Sequence, residues 1–534
     1  MNPRITLQAF LALFAAAFAI RLPYALSGFT LCGDSVSYVN IARNLASGSG
    51  FTSTLKLNYF DPTPVRHLAL ADWPPLYPLF AGLLMRLGVS EVGLQAVNAL
   101  LGAVAVGLVY LIAARLFDQR SAIVAGVFAA LAPNLLRAGC VALSDALGLV
   151  LALWAVLAAL SAEGRPMRWT AAGAIAGLAF LTRFPNVVLL VAFLPYAMAG
   201  RNGRACALAC AAGFALASLP MFAWRWIVYG SPIYCVQMAH IGLASFAKGS
   251  WNSYGGCAPD SRFLHWNLGT AASMIYANTL AYAEDLIRGW IQFLGIGIAV
   301  AALANRREFA NRDRALVLGV SVLGFAVYAG AWSVTPQPIR FLLLTYCLLL
   351  PFCATGLVWL FERKSRIAKV AAVGICAYTA FAYVQWYPRV ANDAEQFQPM
   401  DARVIRWVKR SVPPSAIVAS NNPWLVTHFT GRPAAALPHN LDAHGLERYV
   451  REYHIEAIVL LDRMRRTTTL RAIESAPRLF GVVKCGRDRV AVPRRWARGT
   501  PAAPFDGAQD AKRFTPSDLH SRHAELGSAS RRGP

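Results

Sequence analysis

Acidic residues are scarce in this 534-residue chain. Twenty-seven Asp and Glu stand against 51 Lys and Arg, giving a formal net charge of +24, and charged residues make up only 15% of the total. That fraction is well below the roughly 25% of soluble domains. A basic surplus of this size raises nucleic acid as a partner. No basic stripe interleaved with aromatics is present, however, and many of the Arg and Lys residues stand in short loops between apolar runs or in the tail, so nucleic acid is set aside. The ten cysteines form no CxxC pair and no metal-ligand spacing. Several fall inside apolar runs, where Cys acts as a small hydrophobe. Cys32, Cys235, Cys257 and Cys485 lie outside them, and nothing in the sequence supports a disulfide among these four. Glycine-rich phosphate loops are missing, and the two halves of the chain do not repeat one another.

What is present is hydrocarbon: 57% of residues are hydrophobic and the mean hydropathy is +0.44. The excess lies in long runs, which predicts a polytopic α-helical membrane protein rather than a soluble one with a large core. The first run, Ile5 to Ile20, is short, and Ala17-Phe18-Ala19 resembles a signal-peptide cleavage site. Because many spans follow, it is read as a retained span reaching about Leu26. Further spans are expected near 92–116, 121–141, 147–161, 169–182, 186–199, 205–229, 287–304, 315–333, 340–360 and 367–387. Together these make about eleven crossings at the roughly 20-residue length a bilayer demands. The pair 169–182 and 186–199 is short enough to be a tight hairpin inside the bundle. Residues 74–87 start among prolines and are too short to span, so they read as an interfacial or partly re-entrant helix.

Alternate loops carry the basic residues: Arg115 and Arg120, Arg165 and Arg168, Arg201 and Arg204, the cluster Arg306 to Arg314, and Arg363 to Lys369. The positive-inside rule puts these loops in the cytoplasm. The N-terminus is then cytoplasmic and the protein sits in the inner (cytoplasmic) membrane. Loops 27–91 and 230–286 and everything after Pro388 lie outside, on the periplasmic face. Residues 1–390 form the transmembrane domain. Over 391–496 helix and strand patterns alternate, predicting a small external α/β domain. The tail, 497–534, is polar and rich in Ser, Ala, Arg and Gly, which predicts disorder.

On the external face stand the residues that matter chemically. Asp34 opens an amphipathic segment in which Tyr38, Ile41, Ala42 and Leu45 share one face. Asp145 follows Ser144 between two spans almost free of charge. Arg183 sits at the tip of the short hairpin, and Arg340 follows Pro336-Gln337-Pro338 at the outer start of a span. Two readings stand for each. The acids are helix caps or working carboxylates. Arg183, Arg340 and Arg21 are interfacial anchors that snorkel to headgroups or ligands of an anion. Charges at a membrane face are costly unless paired or used, which favours function for the set. A carboxylate is a general base for an acceptor hydroxyl or amine, and arginines hold a departing phosphate by paired hydrogen bonds.

Several stretches in this order resemble one family. They are Asp34-x3-Tyr38-x2-Ile41-Ala42, Trp73-Pro74-Pro75-Leu76-Tyr77-Pro78, the Ser144-Asp145 turn, Gly177-Leu178-Ala179-Phe180-Leu181-Thr182-Arg183 and Arg340-Phe341-Leu342-Leu343. Over residues 5–390 the chain resembles the membrane glycosyltransferases of the GT-C fold. More narrowly it is similar to the bacterial relatives of protein mannosyltransferases and of the aminoarabinose transferase that modifies lipid A. The stretch at Gly431-Arg432-Pro433 is similar to C-terminal domains of some relatives. The resemblance implies an inverting transfer of a sugar from a polyprenyl-phosphate donor to a lipid, glycan or protein acceptor. It makes Asp34 the catalytic base, with Asp145, Arg183, Arg340, Tyr38, Arg21 and Asp72 around the substrates. One departure concerns metal. The family often has a second acid directly after the first, where this chain has Ser35; Asp72 and His67 are the nearby substitutes. His240 and His265 are 25 positions apart, a weak ligand signal. No metal ligand set and no certain cofactor is assigned, and a divalent metal stays open.

Two other classes compete. A transporter or flippase of lipid-linked sugars should show paired repeats and ionisable residues near the bilayer midplane; neither is evident. A ligase or polymerase of lipid-linked glycans shares the donor chemistry. Acceptor choice should fall to the loop 230–286 and the C-terminal domain, with Trp251, Tyr254, Trp266 and Tyr276 as sugar-stacking candidates or interfacial anchors.

Overall fold

The structure, a computed structural model, describes residues 3–59, 63–70, 72–235, 268–288, 311–331, 338–391, 400–439, 441–461, 468–477, 479–485 and 488–493. His240, Trp251, Tyr254, His265, Trp266, the expected span at 287–304 and the tail therefore fall outside the described residues. Two compact units are present, Met1–Pro399 and Met400–Pro534.

The first unit is helical, in chain order α1 (Pro3–Leu26), α2 (Gly33–Ala46), α3 (Leu76–Arg86), α4 (Glu91–Leu116), α5 (Gln119–Leu131), α6 (Pro133–Cys140), α7 (Ser144–Leu160) and α8 (Pro166–Thr182). A 3-10 turn over Phe184–Val187 leads into α9 (Val188–Met198) and α10 (Gly203–Tyr229). After these come α11 (Leu268–Arg288), α12 (Arg312–Ala331), the single turn α13 (Pro338–Phe341), α14 (Leu343–Glu362) and α15 (Arg366–Ala391). Among the described residues, α1, α4, α10, α12 and α14 are long and apolar enough to cross a membrane, with α5–α6 a sixth if the bent pair is one span. That is fewer than the eleven expected. Helices α7 and α8 stop at 17 residues each, short of the roughly 20 that a perpendicular crossing needs. Small residues hold the bundle together, with Ala103, Ala113, Ala125, Ala152 and Ala176 all buried in one core.

The run 121–141 is not one helix. It breaks between Leu131 and Pro133, and the two parts meet at 58°. Proline has no N–H, so the carbonyl of Ala129, four residues back, loses its helical donor. Arg21 replaces it. This side chain is 0% exposed, and its guanidinium donates to Ala130 O at 3.2 Å, Ala129 O at 3.4 Å and Ala17 O at 2.9 Å. Glycines on both flanking helices make room: a methyl at Gly102 would lie 3.0 Å from Arg21 Nε, and one at Gly139 3.0 Å from Arg21 Cδ.

Between α2 and α3 lies a small antiparallel pair, β1 (Thr52–Ser53) and β2 (His67–Leu68). Helix α3, at 11 residues, is too short to cross. It packs through Tyr77 and Ala81 against Tyr38, Val39 and Ala42 of α2 and against Val141, Ala142 and Leu143 ahead of α7. The first loop is thereby clamped to the entrance of α7.

The second unit is α/β. Its strands are β3 (Ile417–Ser420), β4 (Ala434–Ala436), β5 (Ile455–Leu460), β6 (Phe480–Cys485) and β7 (Asp488–Pro493), ordered β4-β3-β5-β7-β6. The strand β3 is parallel to both neighbours, and β7 is antiparallel to β5 and β6. Helices α16 (Ala402–Ser411), α17 (Pro423–Thr430), α18 (Ala443–Glu452) and α19 (Thr468–Ser475) complete it. Arg432 is buried and donates to Thr430 O at 2.8 Å, Val412 O at 2.8 Å and Lys409 O at 3.1 Å. It closes the C-terminal end of α16, which makes Gly431-Arg432-Pro433 a structural element here.

Candidate active site

One helix positions both acids. On α4, Gln95 and Asn98 are three residues apart and so share a face, and both are buried. Gln95 donates to Ala25 O at 2.9 Å and Gly28 O at 2.8 Å and accepts from Thr30 N at 2.7 Å, which fixes the chain entering α2. Asn98 donates to Val141 O at 2.5 Å and Leu143 O at 2.9 Å, which fixes the chain entering α7.

Neither acid is a helix cap. The N-cap of α2 is Cys32, whose sulfur accepts from Ser35 N at 3.4 Å while Ser35 Oγ accepts from Cys32 N at 3.1 Å. This is a capping box with an unusual first member. Asp34 stands at the second helical position with its carboxylate turned elsewhere. The N-cap of α7 is Leu143, without a side-chain cap, and Asp145 is likewise released for other work.

That work is a four-membered ion network. Asp145 Oδ1 accepts from Arg183 Nη1, and Asp145 Oδ2 accepts from Arg340 Nε at 2.8 Å. The other arm of the same guanidinium, Arg340 Nη1, reaches Asp34 Oδ2. Exposure separates the two acids: the Asp145 side chain is 1% exposed and Asp34 32%, with Arg340 at 21%. An unpaired buried carboxylate is expensive, so Asp145 requires its arginines, whereas Asp34 faces water. Around them Arg183 Nη2 lies 3.5 Å from the Tyr328 hydroxyl, and Tyr328 stacks on Phe341 at 5.1 Å. Tyr38 shares a hydrogen bond with Ser144 Oγ at 3.0 Å, with its ring against Trp73 and Tyr77. Burial pushes the Tyr38 phenol well above its usual range, reinforced by the charge of Asp34, so it stays neutral.

Arg183 and Arg340 are therefore partners of acids, and the anchor reading gives way for both. Arg21 and Asp72 are not brought to this network. Arg21 serves the break after α5. Asp72 accepts from His67 Nε2 at 2.6 Å. Burial lowers the basicity of His67, but the hydrogen bond and charge of Asp72 outweigh it, and its pKa is raised above 6.5. Tyr276, on α11, is exposed. Arg137 was missed by sequence reasoning: it stands on α6 and interacts electrostatically with Asp145, Cys32 and Arg340. Its signal was a basic residue inside an apolar run, which in membrane proteins marks function.

Beside the network is a cavity of about 30 Å³, lined by Asp145, Arg183 and Arg340 together with apolar residues that include Leu149, Val188 and Leu344. It has room for a water or two. The described residues offer no ligand set for a divalent cation. Asp34 and Asp145 are both neutralised by Arg340, and Ser35 Oγ is held by the backbone at Thr30 O and Cys32 O, each at 3.0 Å. Among the described residues no three His, Cys, Asp or Glu side chains gather.

Residues 72–226 match the family model described as dolichyl-phosphate-mannose-protein mannosyltransferase. No curated protein sequence matches the chain. Similar solved structures include ArnT from Cupriavidus metallidurans bound to undecaprenyl phosphate, with TM-score 0.58, 13% identity, and 90% of this chain and 97% of that one covered. Another is the oligosaccharyltransferase AglB from Archaeoglobus fulgidus in complex with an inhibitory peptide and a dolichol-phosphate, with TM-score 0.59, 11% identity, and 94% and 75% covered. A third is the arabinofuranosyltransferase AftD from Mycobacteria, with TM-score 0.52, 15% identity, and 92% and 42% covered. Over most of its length the chain shares the GT-C fold of these membrane glycosyltransferases.

Proposed function

We propose that the protein transfers a sugar, with inversion, from a polyprenyl-phosphate donor to a hydroxyl or amine of a lipid, glycan or protein acceptor. The observation that carries this is the division between the two acids. Asp145 is buried and saturated by guanidiniums, while Asp34 is a third exposed and shares one of those guanidiniums. In the step proposed, Asp34 takes the acceptor proton and the acceptor atom bonds to the anomeric carbon. The bond from that carbon to the phosphate oxygen breaks, and its electron pair leaves with the polyprenyl phosphate. Arg340 and Arg183 stabilise that leaving charge, Asp145 holds the two arginines in place, and Tyr38 supports the turn at Ser144. The lipid phosphates bound to ArnT and AglB support this choice of donor. A flippase has less support, because the charges gather at helix ends rather than at mid-span.

The basic loops support a topology with Asp34, Asp145, Arg183 and Arg340 on the periplasmic side of the inner membrane. About eleven crossings would then leave the C-terminal unit on the same side. The test is Asp34→Asn in purified, membrane-inserted protein supplied with a polyprenyl-phosphate sugar. Transfer is expected to fall below about a thousandth of wild type while the variant stays folded; substantial retained transfer removes Asp34 as the base.

A further inference from the structure

We propose that Arg340 is an exchangeable counter-ion shared between the base and the donor. An arriving lipid phosphate takes Arg340 Nη1 from Asp34, which frees Asp34 Oδ2 for an acceptor. The inference rests on the glycosyltransferase reading above and adds to it a favoured order, donor before acceptor.

Three observations lead here. The two contacts of Arg340 use different atoms, Nε to Asp145 and Nη1 to Asp34, so one can be given up while the other holds. They also differ in what release would cost. Asp145 is 1% exposed with both oxygens engaged, and parting it from arginine would strand a buried charge. Asp34 is 32% exposed, and water replaces a lost partner there. The Nη1 arm is thus the half of the clasp that moves.

Charge and space agree. Two carboxylates, Asp34 and Asp145, face three guanidiniums, those of Arg183, Arg340 and Arg137. A phosphodiester monoanion entering here meets the guanidiniums of Arg183 and Arg340. The adjoining cavity of about 30 Å³ holds water but not a phosphate. Entry of a phosphate requires Arg340 to turn toward it. While the clasp holds, Asp34 Oδ2 accepts from the guanidinium, and the exchange frees that oxygen for the acceptor proton. The exchange breaks one ion pair and makes another, with no covalent change. The proton later taken by Asp34 is that of the acceptor.

The test is a double-mutant cycle on full-length protein in nanodiscs, with undecaprenyl phosphate as the probe. Asp34→Asn removes the competitor for Arg340, so affinity for the probe should rise about tenfold. In an Arg340→Gln background the same substitution should change affinity less than twofold, because nothing is left to compete for. An equal gain in both backgrounds means general charge repulsion and overturns the exchange. So does no gain in the single variant. Failure of wild type to bind the probe at all overturns the donor reading, and the exchange with it. If the double variant does not fold, infrared difference spectra decide. In wild type, a carboxylate band that is missing in Asp34→Asn should shift when undecaprenyl phosphate binds; an unchanged band overturns the proposal.

Discussion

Arg21 and Arg340 both stand on the apolar unit with their guanidiniums turned inward, yet one belongs to the scaffold and the other to the site. Arg21 donates to carbonyls on α1 and α5. Those acceptors are fixed by the helices that carry them, and the guanidinium fills a gap left when Pro133 brought no N–H. Arg340 donates to two carboxylates, one of them exposed enough to leave. What a buried arginine does is decided by its acceptors: immobile backbone makes it a staple, and a side chain with somewhere else to go makes it part of a mechanism. Arg432 falls on the staple side, since it closes the end of α16 in the second unit.

The comparison is broken most directly by exchanging the consequences. Arg340→Gln should lower transfer by about 10²–10³-fold, the cost of removing a donor aimed at developing charge, and because Asp145 keeps Arg183 the stability loss should be the smaller effect. Arg21→Met should do the opposite. It fills the slot between Gly102 and Gly139 with hydrocarbon and leaves the Ala129 and Ala130 carbonyls without their donor. A loss of about 2–4 kcal/mol is expected, read as a lower unfolding midpoint in detergent and a smaller monodisperse fraction. The folded remainder should keep its turnover. If Arg21→Met instead abolished turnover in well-folded protein, Arg21 would have to be returned to the substrate.

Much of this was legible in the sequence, and the limits have physical causes. Loop charge alone grouped Asp34, Asp145, Arg183 and Arg340 on one expected face, and the ion network brings the four together. Their ion pairs do not follow from loop charge, because Asp145 meets Arg340 across 195 positions and no local pattern encodes that contact. Sequence grouped Arg21 with the other two arginines because all three stand near span ends. Its true partners lie 108 and 109 positions away. Cysteine is not a favoured N-cap, so Asp34 was the natural candidate, and only the Cys32–Ser35 contacts free it. The break in 121–141 was visible as Pro133, but continuous hydropathy over the run concealed it.

A smaller effect sharpens the staple side. If Arg21 compensates for Pro133, then restoring the missing N–H should make it less necessary. Pro133→Ala in the Arg21→Met background supplies a backbone donor four residues beyond Ala129, and should recover about 1 kcal/mol of the loss. In the wild-type background the same change should gain nothing, because Arg21 already occupies that carbonyl. Equal effects in both backgrounds would mean that Arg21 and Pro133 act independently.

The smallest effect expected lies in the first loop, where His67 and Asp72 form a pair that belongs to neither class of arginine. The pKa of His67 in the folded protein is raised above 6.5 by Asp72 despite burial. The stability it contributes is therefore fully present below about pH 6.5 and is lost as pH rises through the higher folded value. Unfolding midpoints of wild type and His67→Gln should differ most near pH 6 and converge by about pH 9. Convergence in the opposite direction would mean that His67 is neutral when folded. The contact would then be an imidazole N–H donated to a carboxylate, and the stability it contributes would be lost as pH falls below about 6.5. The segment it anchors runs directly into Trp73, whose ring packs on Tyr38 at 4.9 Å. The pair thus reaches the site only through packing, and its loss should leave the Arg340 network and turnover near wild type.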